Sequence, residues 1–230
     1  MMHALHVGQN PDVFHPGGLA LTARAIDLCS FRIGARVVDI GCGTGVSVDY
    51  LCHELGLAAI GIDLDIMLLK RGTQRNPALP LVRGKAEALP FASASLDGVL
   101  AECSLSVITD KDRALAEFNR ALRRGGRLVV SDVYAQDPRA INLINDVSFP
   151  FCMSGMMTKE SLTDSLSRNG FSIEIWEDHS NVLKEFIIQL IMEHGSLQNF
   201  CGRNGAQAAD MMTLKQACPG YFLLVARKDI

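Results

Sequence analysis

A glycine-rich turn is the part of this sequence best suited to hold a ligand. Residues 37–40 are apolar apart from one aspartate, and a helix-compatible segment, residues 46–55, follows the turn. Glycine lets the backbone approach a ligand closely, and the free N–H groups at a helix start favour negative charge. We therefore predict a strand, a ligand-binding loop and a helix, with these loop residues contacting the ligand: Gly41, Cys42, Gly43, Thr44 and Gly45.

Two carboxylates flank this loop. Asp39 comes just before the glycines, where its side chain can face an ammonium group or orient the loop amides. Asp63 ends a second apolar run, and the spacing of about 20 residues is the one at which an acidic side chain binds a ribose diol. Leu64 and Met67 then follow in positions to touch whatever binds at Asp63.

The two stretches VVDIGCGTG and GIDLD together resemble the first two motifs of class I S-adenosylmethionine-dependent methyltransferases. The resemblance is to the branch that includes ubiquinone/menaquinone-biosynthesis and arsenite methyltransferases. It implies that the methionine amino group of S-adenosylmethionine lies near Asp39 and the glycines, that Asp63 bonds the ribose hydroxyls, and that S-adenosylhomocysteine is the product. A nicotinamide-dependent oxidoreductase is the less favoured alternative, because Val46 stands where a dinucleotide-binding loop has its third glycine.

Residues 84–87, Gly-Lys-Ala-Glu, follow a short predicted strand at residues 81–83 and resemble the third motif of that family. The family motif is usually Gly-Asp-Ala-Glu, and its acidic residue bonds the adenine. Lys85 cannot accept the adenine amino proton, so we expect Glu87 or backbone groups, such as the N–H of Ala86, to make this contact. The lysine also leaves open a second class of function, a module that binds the cofactor without catalysing transfer.

Glu102 and Cys103 follow the fourth predicted strand, residues 97–101. Open parallel sheets bind ligands at the carboxyl ends of their strands, beside the point where the strand order reverses. We therefore expect both residues to face the cofactor. Glu102 either orients the sulfonium end or a substrate, or is solvated at the start of a loop, and it is a weak catalytic candidate.

No general base can be identified from the sequence. Methyl transfer from a sulfonium mainly requires alignment of the reacting atoms and exclusion of water. The four histidines considered lie in no motif that identifies a base, and a lone histidine is more often a surface or packing residue; they are His15, His53, His179 and His194. The catalytic residue is therefore left unknown.

Seven cysteines without a C-x-x-C pair argue against a disulfide framework and a structural zinc site, and no metal is predicted. Residues 152–160 resemble a stretch of arsenite methyltransferases in which a cysteine is a metalloid ligand. Cys152 and Cys201 are accordingly weak catalytic candidates for an alternative metalloid methyltransferase, since thiolates suit a thiophilic acceptor. The other interpretation is that both are small buried thiols in a cap.

Residues 14–18, Phe-His-Pro-Gly-Gly, precede a predicted helix at residues 19–29. In the family that this chain resembles, such an arm often folds over the cofactor, which implies that Phe14 and Gly17 contact its methionine end. A proline-glycine turn that starts a surface helix is the alternative.

The alternation of strands and helices predicts an α/β fold, a doubly wound seven-stranded, mostly parallel sheet. The resemblance adds a reversed C-terminal strand, as in the Rossmann-like methyltransferase fold. We expect a helix at residues 111–123, a strand at 127–132, an inserted helix at 138–151 and helices capped by Thr158 and Ser180. The chain is predicted to be a single methyltransferase domain, residues 1–230, comprising an arm or lid (1–30), a cofactor-binding core (31–132), a cap insertion (133–170) and a C-terminal completion of the sheet (171–230).

The composition and net charge of the chain limit the classes of binding partner that we expect. A chain of 230 residues can bury one α/β core, and 48% hydrophobic residues with a net charge of -3 argue against disorder and against nucleic acid. No apolar run reaches about 18 residues and no signal peptide is recognisable, so we expect no membrane association and a cytoplasmic location. The expected partner is a small-molecule methyl acceptor, and the sequence does not identify the acceptor or the oligomeric state.

Overall fold

The structure is a computed structural model that describes residues 15–140, 155–195 and 218–229, and the statements below refer to these residues. The helices are α1 (Gly18–Cys29), α2 (Val46–His53), α3 (Ile66–Arg75), α4 (Lys111–Ala121), α5 (Lys159–Arg168) and α6 (Ser180–His194). The strands are β1 (Arg36–Ile40), β2 (Ala58–Asp63), β3 (Leu81–Arg83), β4 (Leu96–Glu102), β5 (Leu122–Ala135), β6 (Met157–Thr158), β7 (Phe171–Asp178) and β8 (Pro219–Lys228). A short 3₁₀ helix spans Pro138–Ala140.

The strands form one sheet in the order β3-β2-β1-β4-β5-β8-β7, and the two-residue β6 pairs with the end of β5. The pairs among β1 to β5 are parallel, whereas β8 runs antiparallel to both β5 and β7. This confirms the doubly wound, mostly parallel sheet with a reversed C-terminal strand. The seven predicted strands form the continuous path, and β6 is a short eighth strand that the sequence did not indicate.

The order of the strands decides where a ligand can bind. The chain moves outward from β1 to β2 and β3, then returns to place β4 on the other side of β1. The carboxyl ends of β1 and β4 therefore open a crevice at the reversal point, which is where open α/β sheets bind ligands. The glycine-rich loop leaves β1 at this edge.

The sheet is covered on both faces, which explains why its central strands are apolar throughout rather than alternating. Every residue of β4 is buried, and successive side chains along the strand point to opposite faces of the sheet. Leu100 packs with α1, α2 and α6, whereas Val99 and Ala101 pack with α4 and α5. The two apolar layers hold the carboxyl ends of β1 and β4 in fixed positions.

Two element boundaries differ from the sequence expectation. Helix α4 ends at Ala121, because Leu122 already pairs with Leu96 of β4 before the register shifts around the glycine pair. Ser180 is not the cap of α6: His179 occupies that position, and the Asp178 carboxylate accepts hydrogen bonds from the Ser180 N–H and hydroxyl. The cap predicted at Thr158 is confirmed, since its hydroxyl accepts from the Ser161 N–H.

The inserted helix predicted at residues 138–151 and most of the arm fall outside the described residues. The division of the chain into a lid, a core, a cap and a completing segment therefore stays a prediction. None of the helices within the described part of the chain is long and apolar enough to cross a membrane.

Candidate functional site

The glycine loop is fixed to β2 by backbone hydrogen bonds. The N–H groups of Gly41 and Cys42 donate to the Ile62 carbonyl at 2.8 and 3.1 Å. Gly41, Gly43 and Gly45 have φ angles of +73°, +55° and +75°, a left-handed conformation that other residues adopt only at a cost. This backbone path requires the glycines, and it turns the chain sharply from β1 into α2.

The side chains of the loop point away from its open side. Cys42 is buried against β2, where a Cβ on Gly61 would come within 2.6 Å of its sulfur. Arg75 of α3 donates to both the hydroxyl and the carbonyl of Thr44. A Cβ on Gly43, in contrast, would meet no atom within 4 Å. The loop is therefore packed on its inner side and leaves room for a ligand at Gly43.

Asp63 ties the loop to the end of β2. Its Oδ2 accepts a hydrogen bond of 2.8 Å from the Gly43 N–H, and its Oδ1 accepts one of 2.8 Å from the Asp65 N–H. The carboxylate that orients a loop amide is thus Asp63, whereas the sequence left Asp39 as a candidate for this role. Asp63 is only partly buried, so each oxygen has a further lone pair available toward the cleft.

Asp39 lies in the middle of the sheet, between Gly61 of β2 and Leu100 of β4, and is 3% exposed. No hydrogen bond from any described residue reaches its carboxylate. Burial raises the pKa of Asp39 well above its usual value, and the nearby negative charges of Glu102 and Asp63 raise it further. The three carboxylates thus lie at one edge of the sheet, and a cation bound there would favour their charged forms.

Glu102 is buried at the end of β4, with 7% exposure, so it is not a solvated loop residue. Both of its oxygens accept from the Thr22 hydroxyl of α1, at 2.9 and 3.1 Å, and Oε2 accepts from the Ser47 hydroxyl of α2 at 3.1 Å. These hydroxyl groups fix the carboxylate next to the start of α2. The donors are uncharged, so the negative charge of Glu102 is not neutralised by them.

Cys103 follows with a φ of +48°, and its sulfur lies 3.2 Å from the Tyr221 hydroxyl. Its N–H donates to the Ser131 carbonyl. The next residue, Ser104, packs closely against Gly41. A Cβ added to that glycine would lie 2.6 Å from the Ser104 Cβ. The buried Ser104 hydroxyl has no hydrogen-bond partner among the described residues.

His15 extends over Glu102 from the segment before α1. Its side chain is 10% exposed and its Nε2 lies 3.9 Å from Glu102 Oε2, without a hydrogen-bond partner in the described part of the chain. Nδ1 lies 3.4 Å from the Pro16 carbonyl. Gly17 adopts a φ of +81° and packs against Leu21 and Val182, while Phe14 lies outside the described residues. The contact between His15 and Glu102 could not be predicted from the sequence, because the two residues are 87 positions apart.

The side predicted to hold a nucleobase carries exposed apolar residues. Leu64 and Met67, beside Asp63, are 55% and 63% exposed. In the neighbouring segment Lys85 is exposed, Ala86 is buried and Glu87 is half-buried. Two side chains of α4 hold this segment: Glu117 accepts from the Leu89 N–H, and Arg120 donates to the carbonyls of Leu89 and Phe91.

The two cysteines of the metalloid hypothesis, Cys152 and Cys201, lie outside the described residues. The structure describes five cysteines, with no disulfide bond among them: Cys29, Cys42, Cys52, Cys103 and Cys218. Burial raises the pKa of Cys42 far above its usual value, followed by the charges of Asp39 and Asp63, so this loop thiol stays protonated.

Comparison with known proteins identifies the same region. The methyltransferase domain family matches residues 38–130, which run from β1 into β5. A demethylmenaquinone methyltransferase of Renibacterium salmoninarum is 37% identical over 99 residues, covering 43% of this chain and 41% of the relative. The O-methyltransferase resE of Aspergillus sclerotiorum is 27% identical over 210 residues, covering 86% of this chain and 78% of the relative.

Among solved structures, phosphoethanolamine N-methyltransferase 2 of Haemonchus contortus, in complex with S-adenosyl-L-methionine, matches with a TM-score of 0.72. The match covers 96% of this chain and 55% of that chain at 18% identity, and it shows a shared fold. The chain spans half or less of the length of the demethylmenaquinone methyltransferases that it matches, between 41% and 50% for two of them.

Proposed function

We propose that this protein is a class I S-adenosylmethionine-dependent methyltransferase that transfers the methyl group of S-adenosylmethionine to a small-molecule acceptor, since residues 38–130 match the methyltransferase domain family. The observation that carries the proposal is the arrangement at the carboxyl ends of β1, β2 and β4. There the open glycine loop is held by Asp63, and the buried carboxylates of Asp39 and Glu102 lie beside it.

The residues present fit this cofactor. The open space at Gly43 and the unpaired hydroxyl of Ser104 leave room and a hydrogen-bonding group on the cleft side of the loop. Asp63 keeps lone pairs for a ribose diol while it binds the loop amide. Leu64 and Met67 offer apolar surface next to that carboxylate, as an adenine ring requires.

Each part of the site has a separate task in this proposal. Asp63 orients the ribose, and the buried carboxyl groups of Asp39 and Glu102 face the positively charged methionine end, which favours their ionised forms. Ala86 and Glu87 are the groups nearest to an adenine edge in the proposed pose, whereas the exposed Lys85 contributes no acceptor. Cys103 and the glycine loop complete the walls around the sulfonium.

When bound, S-adenosylmethionine supplies a methyl group already activated on a sulfonium. The chain therefore has to align the acceptor with that methyl group and keep water out. The carboxyl groups at the ends of β1 and β4 are buried, which is consistent with a cleft that keeps water out. Electrostatic interactions with the sulfonium are stronger in such a cleft than in water. We assign no general base to the reaction among the residues of the core.

The acceptor is proposed to be a small molecule. The relatives that match are named for demethylmenaquinone and for O-methyl transfer. The formal net charge of -3 gives no general attraction to nucleic acids. The single-domain organisation of residues 1–230, with a lid and a cap around the cleft, belongs to the same proposal.

The experiment is a metabolite panel offered to the full chain with S-adenosylmethionine, with released S-adenosylhomocysteine as the readout. The proposal predicts release that depends on one acceptor and falls strongly in Asp63→Asn. The exposed neighbour Asp65→Asn serves as a control, since asparagine also caps a helix. Tight cofactor binding without turnover on any acceptor would contradict the proposed activity and favour a binding module.

A further inference from the structure

A fourth carboxylate lies at the cleft edge of the sheet, on β5. Asp132 follows Ser131, which pairs with Glu102 at the end of β4. Asp132 is 2% exposed. Within the described residues it accepts hydrogen bonds from the N–H and hydroxyl of Ser106 and from the N–H of Val133, each at 2.8 Å. Apart from its own neighbour, Asp132 thus holds a single residue of the loop after β4.

The burial of this carboxylate lowers the stability of the fold. Burial raises the pKa of Asp132 to about 6, although its hydrogen bonds and the charge of Lys111 oppose the rise. No ion pair joins these two side chains, and the Lys111 ammonium group donates instead to the Ile108 carbonyl at 3.0 Å. A costly buried charge at the edge where α/β sheets bind ligands is typical of residues that serve function rather than stability.

The residue that Asp132 holds, Ser106, is fixed on two sides. Gly155 packs on it so closely that a Cβ on that glycine would overlap the Ser106 carbonyl oxygen. The next N–H, that of Val107, donates to the Ser104 carbonyl at 3.2 Å, so Ser104 and Ser106 belong to one turn. A shift of Ser106 would therefore move Ser104 as well.

This turn touches the glycine loop at Ser104. A Cβ on Gly41 would lie 2.6 Å from the Ser104 Cβ, so the two segments are in direct contact. Gly41 begins the loop at which we propose that the cofactor binds, and its N–H donates to the Ile62 carbonyl of β2. The contacts thus run without a gap from Asp132 to the glycine loop, although Asp132 itself does not touch that loop.

We propose that Asp132 is a positioning residue, which acts through Ser106 and Ser104 to hold the glycine loop in the conformation that binds the cofactor. The inference rests on the proposed function and adds to it a residue of β5 that does not contact the ligand. Residues coupled to a binding site through packed and hydrogen-bonded neighbours typically change its affinity by about 2- to 30-fold.

Asp132→Asn tests this in the full chain at about pH 7.5, where the wild-type carboxyl group is ionised. The variant keeps the shape of the side chain, but its NH₂ group cannot accept from Ser106. Calorimetric titration is expected to show S-adenosylhomocysteine binding about 2- to 30-fold more weakly. The urea midpoint is expected to equal or exceed that of the wild type, because removal of the buried charge offsets the lost hydrogen bond. Hydrogen exchange of the amides of residues 104–108 should become faster.

Asp97→Asn is the matched control, the same change in a buried carboxylate at the opposite edge of the sheet. Asp97 accepts from the Arg36 N–H at 2.8 Å and forms an ion pair of 2.6 Å with Arg123. Because this charge is paired, the variant is expected to have a lower urea midpoint and to bind S-adenosylhomocysteine as the wild type does. The two variants should thus change stability and affinity in opposite ways.

Ser106→Ala examines the same contact from the other side and leaves the charge of Asp132 in place. It removes only the hydroxyl donor, so S-adenosylhomocysteine is expected to bind about threefold more weakly. The losses caused by Ser106→Ala and Asp132→Asn should not add in the double variant, since both changes act through one contact.

If the wild type binds S-adenosylhomocysteine and Asp132→Asn binds it equally well, the positioning role is overturned while the proposed function stands. A loss of affinity that comes with a lower urea midpoint would also overturn it, because Asp132 would then act through the stability of the fold. Should Asp132→Asn fail to fold, normal binding by Ser106→Ala overturns the role. If the folded wild type does not bind S-adenosylhomocysteine, the proposed function fails and this inference fails with it.

Discussion

At the scale of single residues, the three carboxylates of the cleft differ in what they already bind. Asp63 accepts from two backbone amides, Glu102 accepts from two hydroxyl groups, and Asp39 receives no hydrogen bond from the described residues. Burying a charge is costly unless it is paired. The raised pKa of Asp39 favours its protonated form, and a cationic ligand at the end of β1 would favour the ionised form.

Asp63 has two roles in this proposal, holding backbone amides and binding the ribose. The variant Asp63→Asn tests them, with the neighbouring variant Asp65→Asn as the control. The amide keeps one acceptor oxygen, so either the Gly43 N–H or the Asp65 N–H loses its partner, and the ribose loses a charged acceptor. We expect affinity for S-adenosylhomocysteine to fall about 10- to 100-fold, since hydrogen bonds to charged groups contribute about 1.5–3 kcal/mol. Calorimetry of Asp63→Asn and Asp65→Asn measures this, and equal affinities would contradict the assignment.

Gly43 offers a test with a matched control. Gly43→Ala and Gly125→Ala both place an alanine at positive φ, +55° and +69°, with no atom within 4 Å of the new Cβ. Both are expected to lose about 1–2 kcal/mol of unfolding free energy from backbone strain. Only Gly43→Ala should also lose cofactor affinity, because only its Cβ enters the proposed cleft. Urea denaturation measures the stability of both variants, and calorimetry measures their affinity for the cofactor. Unchanged binding by Gly43→Ala would place the ligand elsewhere.

Contacts between residues close in the chain could be predicted from the sequence, whereas contacts between distant residues could not. The spacing of Asp39, the glycines and Asp63 was enough to predict that the two carboxylates flank one loop, because all of them are close in the chain. The contacts of Thr22, Ser47 and His15 with Glu102 were not predicted, since Glu102 is 55 or more residues away from each of them. A polar residue on an otherwise apolar helix face was the only signal available for Thr22 and Ser47.

At the scale of elements, the glycine loop depends on α3 as well as on β1. Gly72 of α3 lies so close to the loop that a Cβ there would come within 2.3 Å of the Thr44 carbonyl oxygen. A backbone oxygen cannot move aside as a flexible side chain can. The helix and the loop therefore form one unit, to which Arg75 adds hydrogen bonds with Thr44.

Gly72→Ala tests this unit. In an isolated helix the change stabilises by about 1 kcal/mol, whereas overpacking in a buried contact costs about 1–3 kcal/mol. We expect a net loss of unfolding free energy together with weaker cofactor binding, as the loop is pushed toward the cleft. Lys70→Ala, at an exposed position of the same helix, is the control. A gain in stability with normal binding would show that loop and helix move independently.

The loop after β4 is held by a different carboxylate. Asp132 accepts hydrogen bonds of 2.8 Å from both the N–H and the hydroxyl of Ser106. Burial raises the pKa of Asp132 to about 6, although these hydrogen bonds oppose the rise. A carboxyl group whose pKa is raised on folding stabilises the fold below its unfolded pKa, and this contribution is lost as the pH rises through the folded pKa.

The raised pKa of Asp132 predicts how the stability of the fold depends on pH. Between about pH 4 and about pH 6.5 the unfolding free energy of the wild type should fall relative to that of Asp132→Asn, by up to about 3 kcal/mol. Urea denaturation of both proteins across this range measures the difference, in which the other titrating groups cancel. Parallel curves for the two proteins would contradict the raised pKa.

Element types were predicted better than element ends. The apolar runs and helical periods identified β1 to β5 and the amphipathic helices correctly, because both faces of the sheet are buried. The end of α4 was missed because Leu122 pairs with β4, a contact between distant parts of the chain. The N-cap of α6 was predicted wrongly at Ser180. The N–H and hydroxyl of Ser180 donate to the carboxylate of Asp178, two residues earlier, and the cap position is His179.

At the scale of the whole molecule, the order of the strands gives the site its place. The reversal between β1 and β4 brings the loop, Asp63 and Glu102 to one edge, and the helices on both faces fix that edge. The reversed strand β8 completes the sheet and brings Tyr221 against Cys103. The sequence predicted this architecture, whereas the contacts made by residues 15–17, just before α1, depend on packing that no local pattern encodes.

The central claim is that the cleft at the carboxyl ends of β1, β2 and β4 binds S-adenosylmethionine. The most direct measurement is a calorimetric titration of the full chain with S-adenosylmethionine and S-adenosylhomocysteine, repeated with Asp63→Asn. We expect saturable binding of one molecule per chain by the wild type and binding weakened about 10- to 100-fold in the variant. No binding of either ligand by the folded wild type, or equal binding by the variant, would contradict it.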